Sequence, residues 1–300
     1  MITKTPHDKT TVPLAILACL LWSTAFVGIK VGLRYASPWF FAGTRFLLSG
    51  LLLFPLSGGL KNIRSDFRQH GKTIMIVALL QTFLLYGLFY TGMTLVDGAL
   101  AAIIIGASPL VSAVLAHHYM EGDKQNPKRM ISLIVGFGGV VLISLSRAPW
   151  SAAGFRETLG IGILLLGSTC AAGANIIVAK SGKGMKPMRL SALQFTLGGV
   201  ALILLSRFTE SWPVLPLPGV YWAAFLWLSF MSAAAMSIWF ILLRRPGVKV
   251  SELNIWKFIM PVFGAALAWT FLPGESPALL PVLGMVLVAL SVLGYFRVQQ

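Results

Sequence analysis

The chain has 300 residues, of which 57% are apolar or aromatic and only 11% charged, with a formal net charge of +15. Soluble domains carry roughly 45–50% apolar and about 25% charged residues, so a water-soluble fold of this length could not hide this much apolar surface. The mean hydropathy of +0.82 excludes disorder, and two cysteines in apolar runs, Cys19 and Cys170, exclude a disulfide scaffold.

After a tail (residues 1–11), ten apolar stretches follow: 12–33, 38–56, 73–96, 98–118, 130–146, 158–179, 190–208, 219–243, 250–272 and 277–296. Each is near the roughly 20 residues that a helix needs to cross about 30 Å of hydrocarbon. The joints carry turn chemistry, for example Ser37-Pro38, Asp97-Gly98, Asn126-Pro127, Lys186-Pro187 and Pro273-Gly274. Barrel strands would alternate over about ten residues instead of staying apolar for twenty. The first stretch lacks a small-x-small cleavage site and is expected to stay in the mature protein. The predicted fold is an all-α membrane protein of ten transmembrane helices.

With the N-terminus inside, 17 of the 24 Lys and Arg fall in inside segments, against four outside (Arg34, Arg147, Arg156, Arg207). That bias predicts cytoplasmic N- and C-termini. It also accounts for most of the positive charge without a nucleic-acid partner. Weak attraction to anionic lipid heads is expected alongside. Only Lys30, Arg45 and Lys257 fall within spans.

Landmarks recur about 150 residues apart. Ser23–Lys30 has a counterpart in Ala171–Lys180. Ser37-Pro38 opens the second span as Lys186-Pro187 opens the seventh. Ser108-Pro109 precedes Glu121 as Met260-Pro261 precedes Glu275, and Gly136 and Gly284 sit in the last span of each half. Five crossings per half place the second copy upside down, an inverted repeat of the kind common in secondary transporters. The expected organisation is a cytoplasmic tail (1–11), a first repeat (12–146), an outside linker (147–157), a second repeat (158–296) and a short tail (297–300).

Leu20–Lys30 (LLWSTAFVGIK) followed by Ser37–Gly50 (SPWFFAGTRFLLSG) resembles the opening of EamA-type members of the drug/metabolite transporter superfamily. Asp97–Asp123 is similar to that family's fourth helix, and Asn254–Glu275 to its equivalent in the second half. The likeness spans about residues 12–296. It implies two inverted five-helix units in the cytoplasmic (inner) membrane and export or exchange of a small metabolite. The sixth span departs from the family pattern, with Gly167-Ser168-Thr169-Cys170 where an aromatic residue is common.

A charge inside a span faces a cavity or a partner. Arg45 lies about 10 Å below the outer surface. It is read as a fork for a substrate carboxylate or phosphate, or as the partner of a carbonyl or of Asp97. Lys257 is read as a cationic anchor in a central cavity, or as snorkelling or pairing with Glu252. Snorkelling is the reading for Lys30. Gln81, Tyr86, Tyr90, Trp22, Asn175 and Trp239 are candidate cavity-lining residues, with packing and interhelical hydrogen bonding as the alternative. Pro109 and Pro261 each remove a mid-span hydrogen bond and are candidate gating points. Trp39, Trp150, Trp212 and Tyr295 are expected at the membrane interfaces.

All nine acidic residues lie in loops or at helix ends, so coupling through a midplane carboxylate is not expected; facilitated diffusion or substrate exchange is. Gly71-Lys72-Thr73 resembles the tail of a phosphate-binding loop, but Asp66 stands where its first glycine is required. No catalytic centre, cofactor or metal site is predicted. The thin cluster of His117, His118, Glu121 and Asp123 is what a membrane-embedded lipid transferase would have to use. The expected function is transport of a small metabolite, an amino acid or related carboxylate, by alternating access, with drug efflux by the same fold as the alternative. The expected partners are that small molecule and the lipid bilayer, with the protein a monomer or weak homodimer.

Overall fold

The computed structural model describes residues 9–96, 104–145, 154–181, 184–271 and 279–298, and all regular structure among them is helical. The helices are α1 (Thr11–Ser23), α2 (Ala25–Gly32), α3 (Pro38–Ser57), α4 (Ile63–Val77), α5 (Leu85–Met93), α6 (Ser108–Tyr119), α7 (Pro127–Leu145), α8 (Gly154–Lys180), α9 (Pro187–Thr209), α10 (Gly219–Leu243), α11 (Val250–Asn254), α12 (Ile259–Phe271) and α13 (Leu279–Arg297). A π-helical stretch, Ala78–Leu84, fuses α4 to α5, and a 3-10 turn, Ile255–Phe258, joins α11 to α12.

Seven described segments are long and apolar enough to cross a membrane: Thr11–Ile29, Pro38–Ser57, Ile63–Met93, Phe155–Lys180, Pro187–Thr209, Gly219–Leu243 and Leu279–Arg297. The predicted eighth span coincides with α10. The third begins ten residues earlier than its apolar core, because helical hydrogen bonding continues through the polar stretch from Ile63 to Lys72. The predicted fourth span is described only from Ile104 onward, and the predicted linker only from residue 154.

Three predicted spans are broken, the fourth at Ala107. The first is interrupted at Thr24. Its hydroxyl donates to the Leu21 carbonyl at 2.7 Å and accepts the Trp227 indole N–H at 3.0 Å. The ninth is α11, the 3-10 turn and α12 in series.

The chain forms two compact units, one from residues 1–90 and 177–248, the other from residues 91–176 and 249–300. In the first, α3 and α9 pack antiparallel along their length. Glycine is required at that crossing. A β-carbon on Gly199 would lie 2.6 Å from the Leu47 nitrogen and 2.8 Å from the Gly43 carbonyl. One on Gly50 would lie 2.7 Å from the Thr196 nitrogen.

Charged residues of α9 close both ends of this pair. The Glu210 carboxylate, just past α9, accepts the Trp39 and Phe40 N–H groups at 2.9 Å, satisfying orphan donors in the first turn of α3. At the other end buried Arg189 donates to Asp66 at 2.8 Å, to the Lys61 carbonyl at 3.0 Å and to the Gly59 carbonyl. Gly58, at φ 110°, turns the chain out of α3 so that Gly59 can present that carbonyl.

The second unit is organised by α7 against α13. A β-carbon on Gly139 would sit 2.6 Å from the Gly284 carbonyl, and Ser291 donates to the Ser132 carbonyl at 2.6 Å. Its core is Ala113, Leu133, Val140, Ile255, Phe258, Val288, Val292 and Tyr295.

The crossing glycines can be tested directly. Gly199→Ala should cost about 1–3 kcal/mol, the usual cost of overpacking. Gly162→Ala, where nothing lies within 4 Å of the new carbon, should leave the thermal midpoint in detergent unchanged.

Candidate functional site

Arg45 sits two turns into α3 and is 2% exposed. Among the described residues neither Nε nor Nη1 has a hydrogen-bond partner. Its guanidinium lies 4.4 Å from the Phe46 ring centroid and 5.6 Å from that of Tyr86. Cation–π contact of this kind is worth about 0.5–2 kcal/mol. It offsets only part of the several kcal/mol that an unpaired buried charge costs. Asp97, the predicted pairing alternative, lies outside the described residues.

Tyr86 and Tyr90, expected as candidate cavity-lining residues, lie on α5 on the Arg45 side of the unit. The rings of Tyr86 and Phe46 are 4.3 Å apart, and Tyr90 follows Tyr86 by one helical turn on α5. Tyr90 is buried and its hydroxyl has no partner among the described residues. Gln81, in the π stretch, is buried with Nε2 4.0 Å from the Met236 sulfur and Oε1 unpartnered. One turn along α10 from Met236, Trp239 packs edge-on against Trp22 at 5.1 Å. Six predicted residues thus fall in the first unit, and Arg45, Tyr86 and Tyr90 form one constellation.

In the second unit Asn175 donates to Asn254 at 3.3 Å, so it serves an interhelical hydrogen bond. Lys257 is half-buried within the 3-10 turn. Glu252, its predicted alternative partner, is bridged by Arg129 at 3.5 Å and Lys249 at 3.2 Å.

The mid-span reading of the prolines is corrected. Pro109 lies in the first turn of α6, after a break at Ala107, and Pro261 is the third residue of α12, after the 3-10 turn. A first turn has no hydrogen bond for proline to remove. The helix interruptions therefore precede both prolines.

Tyr295 is also corrected. It is fully buried, with its hydroxyl 2.9 Å from both Gln125 Oε1 and Ser251 Oγ. Asp123 accepts the Ser251 N–H at 2.9 Å and the Ser251 hydroxyl. His117 Nδ1 accepts the Gln125 N–H at 2.9 Å. Asp123 is thus occupied in holding the loop to α11, Gln125 ties it to α13, and His117 bonds within the loop. Among the described residues no three His, Cys, Asp or Glu converge on a metal position.

Three residues beside these were not singled out in the sequence: Thr82, Gln194 and Phe195. Thr82 donates its hydroxyl to Gln194 Oε1, leaving Gln194 Nε2 buried without a partner among the described residues. Phe195, next in sequence, stacks on Phe46 at 5.2 Å and 7°. The signal was available: Pro38, Arg45, Phe46 and Gly50 recur as Pro187, Gln194, Phe195 and Gly199, all 149 residues apart.

Helices of membrane length around buried polar groups make a multi-pass membrane protein. The model of the EamA-like transporter family matches residues 9–145 and again 158–297. The chain belongs to that family, within the drug/metabolite transporter superfamily, and is a membrane transporter. It is 29% identical over 292 residues to the uncharacterized transporter YvbV of Bacillus subtilis (strain 168), covering 96% of this chain and 91% of that one. It is 25% identical over 288 residues to an S-adenosylmethionine/S-adenosylhomocysteine transporter of Chlamydia trachomatis serovar L2, covering 92% and 86%. A protein crystal structure shares the fold with a TM-score of 0.83 at 16% identity, covering 98% of this chain and 100% of that one.

The structural role given to the Asp123 cluster has a direct check. Ser251→Ala leaves Asp123 without a hydroxyl donor and should cost about 1–3 kcal/mol of stability, read by thermal unfolding. Substrate half-saturation should be unchanged.

Proposed function

We propose that the protein is a ten-helix carrier of the cytoplasmic membrane, with both termini cytoplasmic. It moves a small carboxylate-bearing metabolite, an amino acid or a related acid, by alternating access in export or exchange. The observation that carries this reading is Arg45, a buried guanidinium whose Nε and Nη1 have no partner among the described residues. A planar fork of donors suits a carboxylate. Binding one would supply the charge and the acceptors that the surrounding rings do not.

The inverted repeat is supported by the two family matches and by the antiparallel packing of α3 on α9, which begin at corresponding prolines. Such an arrangement suits carriers whose halves rock about a central site. The breaks preceding Pro109 and Pro261 are candidate hinges for that motion. Lys257, in the second of them, is a candidate second cationic anchor. The Chlamydia relative's named substrates also bear a carboxylate, which is compatible with the class proposed.

A thermal-shift screen of the purified protein against a metabolite panel should identify the ligand. Counterflow in proteoliposomes should then saturate. Arg45→Gln should raise half-saturation about tenfold or more, the equivalent of about 1.5–3 kcal/mol for hydrogen bonds to a charged group, with folded protein retained. Lys257→Gln should do so more weakly. Normal transport by both variants would sink the cavity assignment, and lipid turnover without counterflow would sink the carrier.

Orientation is tested by labelling with a membrane-impermeant maleimide. A cysteine at Lys124 or Lys186 should react only in inverted vesicles, and one at Trp212 only in intact cells.

A further inference from the structure

We infer that Gln194 is the second anchor of the Arg45 site, and that the substrate carries a hydrogen-bond acceptor in addition to its carboxylate. The inference deepens the carboxylate reading and rests on it.

Gln194 is fully buried on α9. Its Oε1 is taken by the Thr82 hydroxyl, which fixes the amide with Nε2 turned away from Thr82. That Nε2 has no partner among the described residues. A buried donor left unmade costs about 1–3 kcal/mol.

A continuous path leads from it to Arg45. Thr82, Tyr86 and Tyr90 follow one another at four-residue spacing on one helical segment. Tyr86 touches Phe46, Phe46 stacks on Phe195, and Phe195 adjoins Gln194. The Arg45 guanidinium lies 5.6 Å from the Tyr86 ring. Both donors therefore border the same cluster of aromatic rings.

Their chemistry is unequal. A guanidinium selects an anion. A neutral amide N–H selects a carbonyl, hydroxyl or carboxylate oxygen and offers nothing to an ammonium. The aromatic faces between them already carry the Arg45 charge, which opposes a second cation there.

Four five-carbon acids identical except at the far end discriminate. They end in methyl, hydroxyl, carboxamide and ammonium, and each is titrated against the purified protein by thermal shift and by competition in counterflow. The hydroxyl and carboxamide acids should bind about tenfold tighter than the methyl acid, and the ammonium acid no tighter than the methyl one.

Gln194→Leu should abolish that preference, so that the hydroxyl and carboxamide acids bind no tighter than the methyl acid. Thr82→Val, which frees the amide, should reduce it. Gln194→Glu, which keeps an oxygen for Thr82, should reverse the preference toward the ammonium acid.

The inference is overturned if Gln194→Leu weakens all four acids equally, or if the ammonium acid binds best to the unaltered protein, since the far subsite would then be an acceptor such as Gln81 Oε1. Loss of binding of all four acids in Arg45→Gln, with the Gln194 effects absent, leaves the carboxylate reading standing and removes this one. Unchanged binding of all four in Arg45→Gln removes both.

Discussion

Lipid tails are as apolar as leucine, so helices in a bilayer gain little by hiding apolar surface from one another and must gain by close contact. That constraint is met most fully where α3 crosses α9. Gly43, Gly50 and Gly199 bring backbone against backbone, at distances no β-carbon would tolerate. The approach brings Phe46 and Phe195 into stacking contact. Their neighbours in sequence, Arg45 and Gln194, are carried to the same buried zone. The polar chemistry of the first unit is thus positioned by residues that have none. The second unit repeats the solution with Gly139 against Gly284, beside buried Asp123 and Glu252, each of which has a hydrogen-bonding or ionic partner.

Buried polar groups here divide by how many partners they have. Arg189 spends its fork on a carboxylate and two carbonyls, Glu210 on two amides, and Asp123 on one residue's N–H and hydroxyl. Each ties a loop or helix end to a neighbour, as a structural charge should. Arg45 is buried to a similar degree but has ring faces for company. Burial alone does not separate the two roles; the count of satisfied donors does.

Much of the fold was legible because hydropathy reports contact with lipid directly. The span ending at Leu243 is bounded by Pro218 and Arg244, and both ends were found. Hydropathy is blind to helix that extends beyond the lipid, hence the missed turns from Ile63 to Lys72. It is equally blind to interruptions within an apolar run, which hydrogen-bond geometry decides at Thr24, Ala107 and Ile255. Pro109 and Pro261 were visible, but a proline looks the same in sequence whether it breaks a helix or starts one. Tyr295 was misplaced because an amphipathic ring suits an interface and a buried hydroxyl network alike. Arg45, Tyr86 and Tyr90 could be singled out as candidates because charge and i, i+4 spacing leave a mark. Gln194 was missed because it is neutral, although its register with Arg45 lay in the repeat.

The clasping of α3 and α9 has a mechanical consequence. The pair is fused along its middle by backbone contact and bolted at one end by Glu210, at the other by Arg189. Held in this way, the pair should move as a single strut. Flexibility within the first unit is left to segments where helical hydrogen bonding already changes pitch: the interruption at Thr24 and the π stretch of residues 78–84. The second of these carries Thr82, and so holds the orientation of the Gln194 amide at the edge of the stiffest element in the unit.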